Sequence, residues 1–254
     1  MIWSDDVKKS FSYLLGLVLI FLIWHFVSHV INSKFILPSP YVVLSTIVKE
    51  IGKSLLWISL IQTLSKVFVV LFLVVFFGVF IGFVIGINKV LFDIFRPFIL
   101  FIQAFPIVTW LALIMFIWGI GWMGPVVVSF LSLLPYAILS TAVGIQTTDV
   151  RLIEMAKLYN VRKAKVIKDI YLGSILPQFV STLQVVIGNI WKVVVVAEYM
   201  CGDKGVGVQI AWARQSVSVE KVYAYTIIII AIGLSVENII NRFSRKAIEK
   251  WSVS

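Results

Sequence analysis

Cysteine is almost missing. Cys201 is the single one in 254 residues, which excludes an internal disulfide framework and a cysteine-cluster metal site. Histidine is nearly as scarce. His25 and His29 are the two, four apart on one face of an apolar run with no carboxylate or thiol nearby. They read as packed or interfacial residues rather than metal ligands. Charge is scarce as well: 13% of residues, against about 25% in a soluble domain. With 61% hydrophobic residues, so few polar groups cannot cover a globular surface. The chain therefore reads as an all-α polytopic membrane protein. Acidic residues number 12 against 22 Lys and Arg, a net charge of +10. These cations are scattered between apolar runs, as in the loops that orient membrane helices, and do not form a nucleic-acid surface. A Gly-x-x-x-x-Gly-Lys-Ser/Thr loop is also lacking, so the chain cannot hydrolyse ATP by that route.

What is present is a series of long apolar runs. Residues 10–33 carry no formal charge, enough to cross a bilayer core of roughly 30 Å. This run is too long for a cleaved signal peptide, and no small-residue cleavage site follows. The first span is expected at about 11–31. Leu37-Pro38-Ser39-Pro40 makes an extended turn, and 42–57 reads as a surface helix with Lys49, Glu50 and Lys53 on its wet face. A second span, about 60–87, carries Gly78, Gly82 and Gly86 on one face, a spacing that allows a neighbouring helix to approach closely. Residues 88–97 read as a loop. The 52 uncharged residues that begin at Pro97 suit two spans, about 98–118 and 125–145, divided by the Gly119–Pro125 turn and kinked at Pro106 and Pro135. A fifth span is expected at about 176–200 and a sixth at about 222–241. Between the last two, Cys201-Gly-Asp-Lys-Gly205-Val-Gly207 is a glycine-rich turn and not a phosphate loop.

Six spans place both termini on one side. With the termini inside, 14 Lys and Arg fall on cytoplasmic segments and 6 on outer ones, which puts the termini in the cytoplasm. The largest cluster lies between spans four and five, where residues 149–177 hold six Lys and Arg. Leu152, Ile153, Ala156 and Tyr159 recur there at helical spacing. Thr147, Thr148 and Asp149 are good N-caps, and Glu154 lies near the positive end of the helix dipole. Asn160 tolerates a left-handed backbone, so Tyr159-Asn160-Val161 can close the helix. A second short basic helix, 162–168, is expected after it. Pro177 is expected to start the next span, where a missing N–H does no harm.

The pattern Glu154-x-Ala156-x-x-x-Asn160, then Ile170-x-Leu172 and Leu176-Pro177, resembles the EAA loop of permease subunits of binding-protein-dependent ABC importers. Met155, Asn160 and Gly173 stand where that loop usually has Ala, Gly and Pro. Leu37-Pro38-Ser39-Pro40, Pro106-x-x-x-Trp110, Trp118-Gly119-Ile120-Gly121, Gly188-x-x-Trp191 and Val196-Ala197-Glu198 with Gly205-Val-Gly207 resemble the nitrate, sulfonate and taurine subgroup. The resemblance spans about 35–245. It implies a single permease domain in the plasma or inner membrane, with 149–173 as a cytoplasmic coupling loop. It further implies two copies of a separate ATPase that binds ATP and Mg, an extracytoplasmic solute-binding protein and a permease homodimer. No cofactor, metal or catalytic residue is expected on this chain.

By the same resemblance Glu154, Met155, Ala156, Tyr159, Asn160, Leu172, Gly173 and Pro177 carry ATPase coupling. Gln103, Trp110, Gln184, Asn189 and Lys192 are candidates for the translocation path of a small anionic solute such as a sulfonate, taurine or nitrate. A vitamin or pyrimidine precursor is the alternative cargo. Two readings stand for Lys192: a contact to solute, or a structural cation bonded to helix carbonyls or reaching outward. Glu198 reads as a structural or outer-gate residue that caps or pairs at the end of span five. An ATP-independent transporter or channel is the rival class and needs a charge relay, for which the spans offer mainly Lys192, Glu198 and Glu237. A membrane-embedded enzyme needs clustered His, Asp or Glu, and a scaffold would bind an ATPase without moving solute.

Overall fold

The computed structural model describes residues 2–147, 150–162, 165–166 and 172–252. Its elements are α-helices: α1 Ile2–Ile31, α2 Pro40–Ile51, α3 Ser54–Gly86, α4 Lys89–Ala104, α5 Ile107–Trp118, α6 Met123–Gln146, α7 Val150–Leu158, α8 Leu172–Cys201, α9 Val206–Gln215 and α10 Val219–Ser252. Five of them hold stretches long and apolar enough to cross a membrane: Leu14–Ile31, Ser54–Gly86, Met123–Gln146, Thr182–Cys201 and Val219–Ile239. The pair α4 and α5, set at 85° to each other, makes a sixth if counted as one broken span. The chain divides into two compact units, one of residues 1–57 and 209–228, the other of 58–208 and 229–254.

In the first unit the Leu37–Pro40 turn is pinned to α1. The Trp24 indole N–H donates to Pro38 O at 3.2 Å, and Ser28 Oγ donates to Leu37 O at 3.0 Å. Pro40 then opens α2, where its fixed φ suits a first helical turn. The surface helix expected at 42–57 stops at Ile51, and Ser54–Trp57 already belong to the next long helix. Glu50 is not on a wet face but buried. Tyr225 Oη donates to its Oε2 at 2.8 Å, and Lys53 Nζ lies 2.6 Å from its Oε1. Burial pushes the Glu50 carboxyl up, but Lys53, Tyr225 and the nearby Lys221 outweigh it and hold the group below its ordinary range.

In the second unit the glycine face of α3 meets α6. A β-carbon at Gly78 would overlap that of Ala137. One at Gly82 would lie 2.7 Å from both Ile138 O and Thr141 Cβ, and one at Gly86 would lie 3.0 Å from Ala142 Cα. The partner residues Ala137 and Thr141 repeat the same four-residue spacing. Thr141 ties its own hydroxyl back to Ala137 O at 2.8 Å, so its methyl is left for packing. This is close approach through small residues, the means by which helices associate where lipid offers no hydrophobic gain. Ile85, Phe92, Ile99, Ile138 and Ala142 form one core cluster, and Leu111, Ile114, Val128, Ala197 and Cys201 form another. Paired hydroxyls of Ser140 and Thr182 join α6 to α8.

Three expectations change here. Residues 89–97 are helical rather than a loop, because the Asn88 side chain caps α4, accepting from Val90 N at 2.9 Å and Leu91 N at 3.4 Å. Pro97 therefore sits inside α4. Pro106 does not kink one helix but divides two. Phe105 is held extended before the proline (ψ 124), and Pro106 is the N-cap of α5. Pro177 does not open a helix, since α8 starts at Leu172 and Pro177 is its sixth residue. Pro135, by contrast, lies within an unbroken α6.

Candidate functional site

The break between α4 and α5 opens a cavity of about 290 Å³. The end of α4, the start of α5, the middle of α6 and α8 line it. Most of the lining is aliphatic or aromatic. The polar members are Gln103, Ser132, Tyr136 and Asn189. Ser132 and Tyr136 are one helical turn apart on α6, on either side of Pro135. Gln103 Oε1 and Ser132 Oγ are buried and have no hydrogen-bond partner. Asn189 is exposed, and its Nδ2 donates to Val185 O of its own helix at 2.8 Å. Buried polar atoms are nearly always paired, with protein or with water, so Gln103 Oε1 and Ser132 Oγ leave hydrogen-bonding capacity facing the cavity.

Of the five path candidates, Gln103 and Asn189 come together here. Trp110 stands beside the cavity, its ring 4.8 Å from that of Phe105, with its own indole N–H buried and unpaired. Gln184 and Lys192 lie on α8 outside the lining, Lys192 exposed. Ser132 and Tyr136 are not among the residues that the sequence singles out. Their signal was a polar pair at i and i+4 around a proline in an otherwise apolar span.

A second polar cluster is fully enclosed. Lys66 Nζ of α3 lies 2.8 Å from Glu198 Oε1 of α8. Thr63 Oγ1 donates to Glu198 Oε2 at 2.8 Å, and Gly207 N–H donates to the same oxygen at 3.0 Å. Val206 N–H donates to Thr63 Oγ1 at 2.9 Å, and Lys66 Nζ also donates to Lys204 O. The glycine turn thus wraps the carboxylate. Gly205 has φ +127, and a β-carbon there would overlap the Glu198 side chain. Both charged groups of this cluster have more than one polar partner, as burial of an ion pair requires. Lys66 was recognisable as a cation inside a span; its partner, 132 residues away, was not.

The charged segment is built on α7. The helix ends as its sequence suggests: Asn160 has φ 49, Tyr159 N–H donates to Met155 O at 3.0 Å, and Val161 N–H reaches back to Ala156 O at 2.9 Å. These are the bonds of a left-handed helix cap. Ala156 is buried, whereas Leu152, Glu154, Met155, Leu158 and Tyr159 are exposed. Leu158 is 81% and Tyr159 78% exposed, a large apolar surface on an otherwise charged segment. Leu172 and Gly173 are the first two residues of α8. The caps Thr148 and Asp149 lie outside the described residues. So do Lys163, Ala164 and 167–171, and with them most of the second basic helix expected at 162–168.

The family model described as "Binding-protein-dependent transport system inner membrane component" matches residues 74–249. The chain is 24% identical over 242 residues to the taurine transport system permease protein TauC of Escherichia coli (strain K12), a match covering 92% of this chain and 88% of that protein. It is 31% identical over 113 residues to the putative aliphatic sulfonates transport permease protein SsuC of Bacillus subtilis (strain 168), covering 44% and 41%. Its fold is similar to a chain of a bacterial ABC transporter involved in the import of the acidic polysaccharide alginate, with a TM-score of 0.68 at 15% identity over 96% of this chain and 98% of that one. A chain of the MetNI methionine ABC transporter in an inward-facing conformation gives a TM-score of 0.62 at 15% identity, over 78% of this chain and 96% of that one.

Proposed function

The chain belongs to the family of binding-protein-dependent transport system inner membrane components, and on that premise we propose that it is the permease subunit of an ATP-driven importer of small sulfonates. The similarity to taurine and aliphatic-sulfonate permeases supports the cargo class. ATP and Mg are then held by a separate ATPase, since the chain carries no phosphate loop. A solute-binding protein delivers cargo from outside, and two permease copies face each other across the path.

The observation that carries the docking half of this reading is α7. Leu158 and Tyr159 stand exposed at its end, next to Met155 and Glu154, beyond the apolar stretches of α6 and α8. Exposed apolar residues rimmed by charge mark a protein contact. The lysine and arginine distribution supports a cytoplasmic position for this helix and for both termini, where an ATPase can reach it. The left-handed cap at Asn160 fixes how the helix ends and so stiffens it as a lever. Closure of the ATPase pair would move α7, and through it α6 and α8, two walls of the cavity.

A single-cysteine experiment tests the docking. The native Cys201 is buried. A Met155→Cys variant therefore offers one accessible thiol, and it should cross-link to the ATPase in membranes in a nucleotide-dependent way. A thiol at 155 that reacts freely with a bulky water-soluble reagent in the intact complex contradicts the docking.

A further inference from the structure

A second cavity, of about 440 Å³, lies at the end of α1 and wholly within the first unit. The chain builds it by folding back on itself. Asn32 closes α1 with a left-handed backbone, φ 45, and the turn that follows is tied down by the Trp24–Pro38 and Ser28–Leu37 bonds. His25 and His29, one helical turn apart, then share the space with Asn32, Ser33, Lys34 and Ser39. Ser39, at the start of α2, spends no side-chain hydrogen bond on capping it. Each of these side chains can donate: two imidazoles, an ammonium, an amide and two hydroxyls. No carboxylate lines the cavity among the described residues. Such a set calls for an anion with several acceptor oxygens. It does not suit a metal ion, because Lys34 repels a cation and neither thiol nor carboxylate joins the two imidazoles.

The helix below the cavity says what the anion is attached to. From His29 and His25 the same face of α1 runs on through Phe21, Leu22, Val18 and Leu14 at three- and four-residue spacing, and all four of these apolar side chains are exposed. Leu14–Ile31 is long and apolar enough to cross a membrane, so the stripe meets acyl chains and the cavity at its end meets the headgroup layer. Phe35 and Ile36 stand exposed on the turn beside it. A free anion would use the donors but not the stripe. We propose that this cavity is a binding site for an anionic phospholipid, its phosphate held by His25, His29 and Lys34 and its acyl chains laid along α1. The site shares no lining residue with the cavity at the α4–α5 break, and the proposal is independent of which solute the chain carries.

The test uses the full chain, purified in detergent and stripped of lipid. Native mass spectrometry follows its titration with phosphatidylglycerol and with phosphatidylcholine of the same acyl chains. The first phosphatidylglycerol should bind at least about fivefold tighter than the first phosphatidylcholine, the effect of one cation at the headgroup. Lys34→Gln should abolish that preference, whereas Lys89→Gln, which removes a cation at the start of α4, should keep it. His25→Leu combined with His29→Leu should weaken both lipids, since the imidazoles serve the phosphate that the two share. His25, His29 and Lys34 are all exposed, so these variants should keep the native unfolding midpoint. Glycerol 3-phosphate, which carries the phosphate without the chains, should not displace the lipid at millimolar concentration. Equal binding of the two lipids, a preference that survives Lys34→Gln, or a histidine double variant that binds both lipids as the native chain does overturns the proposal. Displacement by glycerol 3-phosphate overturns the lipid as occupant in favour of a soluble phosphate compound.

Discussion

Lys66 and Glu198 form an ion pair of 2.8 Å between α3 and α8, with both side chains wholly enclosed. The pair also fixes the Gly202–Gly207 turn, since Lys66 bonds Lys204 O and Glu198 accepts from Gly207 N–H. Removing one charge leaves the other buried without compensation. Lys66→Met or Glu198→Leu alone should therefore destabilise the chain by about 3–5 kcal/mol, while the double variant should recover most of the loss. Thermal unfolding of the four proteins in detergent measures this. Additive losses would mean the pair is not coupled.

The α3–α6 contact predicts a graded response to side-chain size. Gly82→Leu should cost at least about 1–3 kcal/mol, because its β-carbon already meets Ile138 O and Thr141. Gly16→Leu on α1 should be nearly neutral, with nothing within 4 Å of its would-be β-carbon. Unfolding midpoints of the two variants provide the comparison.

The Asn160 cap makes a conformational prediction. At φ 49, Asn160→Gly should be tolerated, whereas Asn160→Val should cost roughly 1–2 kcal/mol locally. Hydrogen exchange at the Val161 amide, which is bonded to Ala156 O, reads the cap directly. Equal protection in both variants would rule out a strained left-handed turn.

Glu50 predicts a pH dependence for the unit that contains α2. Its carboxyl is held below the ordinary value of 4.5 in the folded chain. The unfolded chain therefore binds a proton more readily, and stability falls as the medium is acidified. The contribution is complete above about the ordinary carboxylate value and is lost as pH drops through the lowered one. Glu50→Gln should flatten this dependence, and Tyr225→Phe should reduce it by removing the 2.8 Å bond. Unfolding midpoints measured between neutral and acidic pH decide the matter.

Local features were the most legible. The glycine spacing at 78, 82 and 86 announced a close helix contact, and the aptitude of Asn160 for a left-handed backbone announced the end of α7. Both depend on one residue's own stereochemistry. What could not be read depends on distant partners or on which of several prolines breaks a helix. Pro97, Pro106 and Pro135 look alike in sequence, yet Pro97 and Pro135 lie within helices while Pro106 separates two at 85°. Ser132 and Tyr136 gained meaning only when that break placed Gln103 across from them. Glu50 reads as a wet-face residue in the sequence because no sequence pattern pairs it with Tyr225.

The central claim is that α7 couples this permease to a separate ATPase. The direct measurement is co-purification of the ATPase, together with ATP-driven taurine uptake in vesicles, for the native chain and for Glu154→Lys. Glu154 is exposed on α7, so the change should leave membrane insertion and the unfolding midpoint intact. The account predicts that the variant loses most of the bound ATPase and at least about tenfold of the uptake rate. Full retention of the ATPase with unchanged uptake would contradict it.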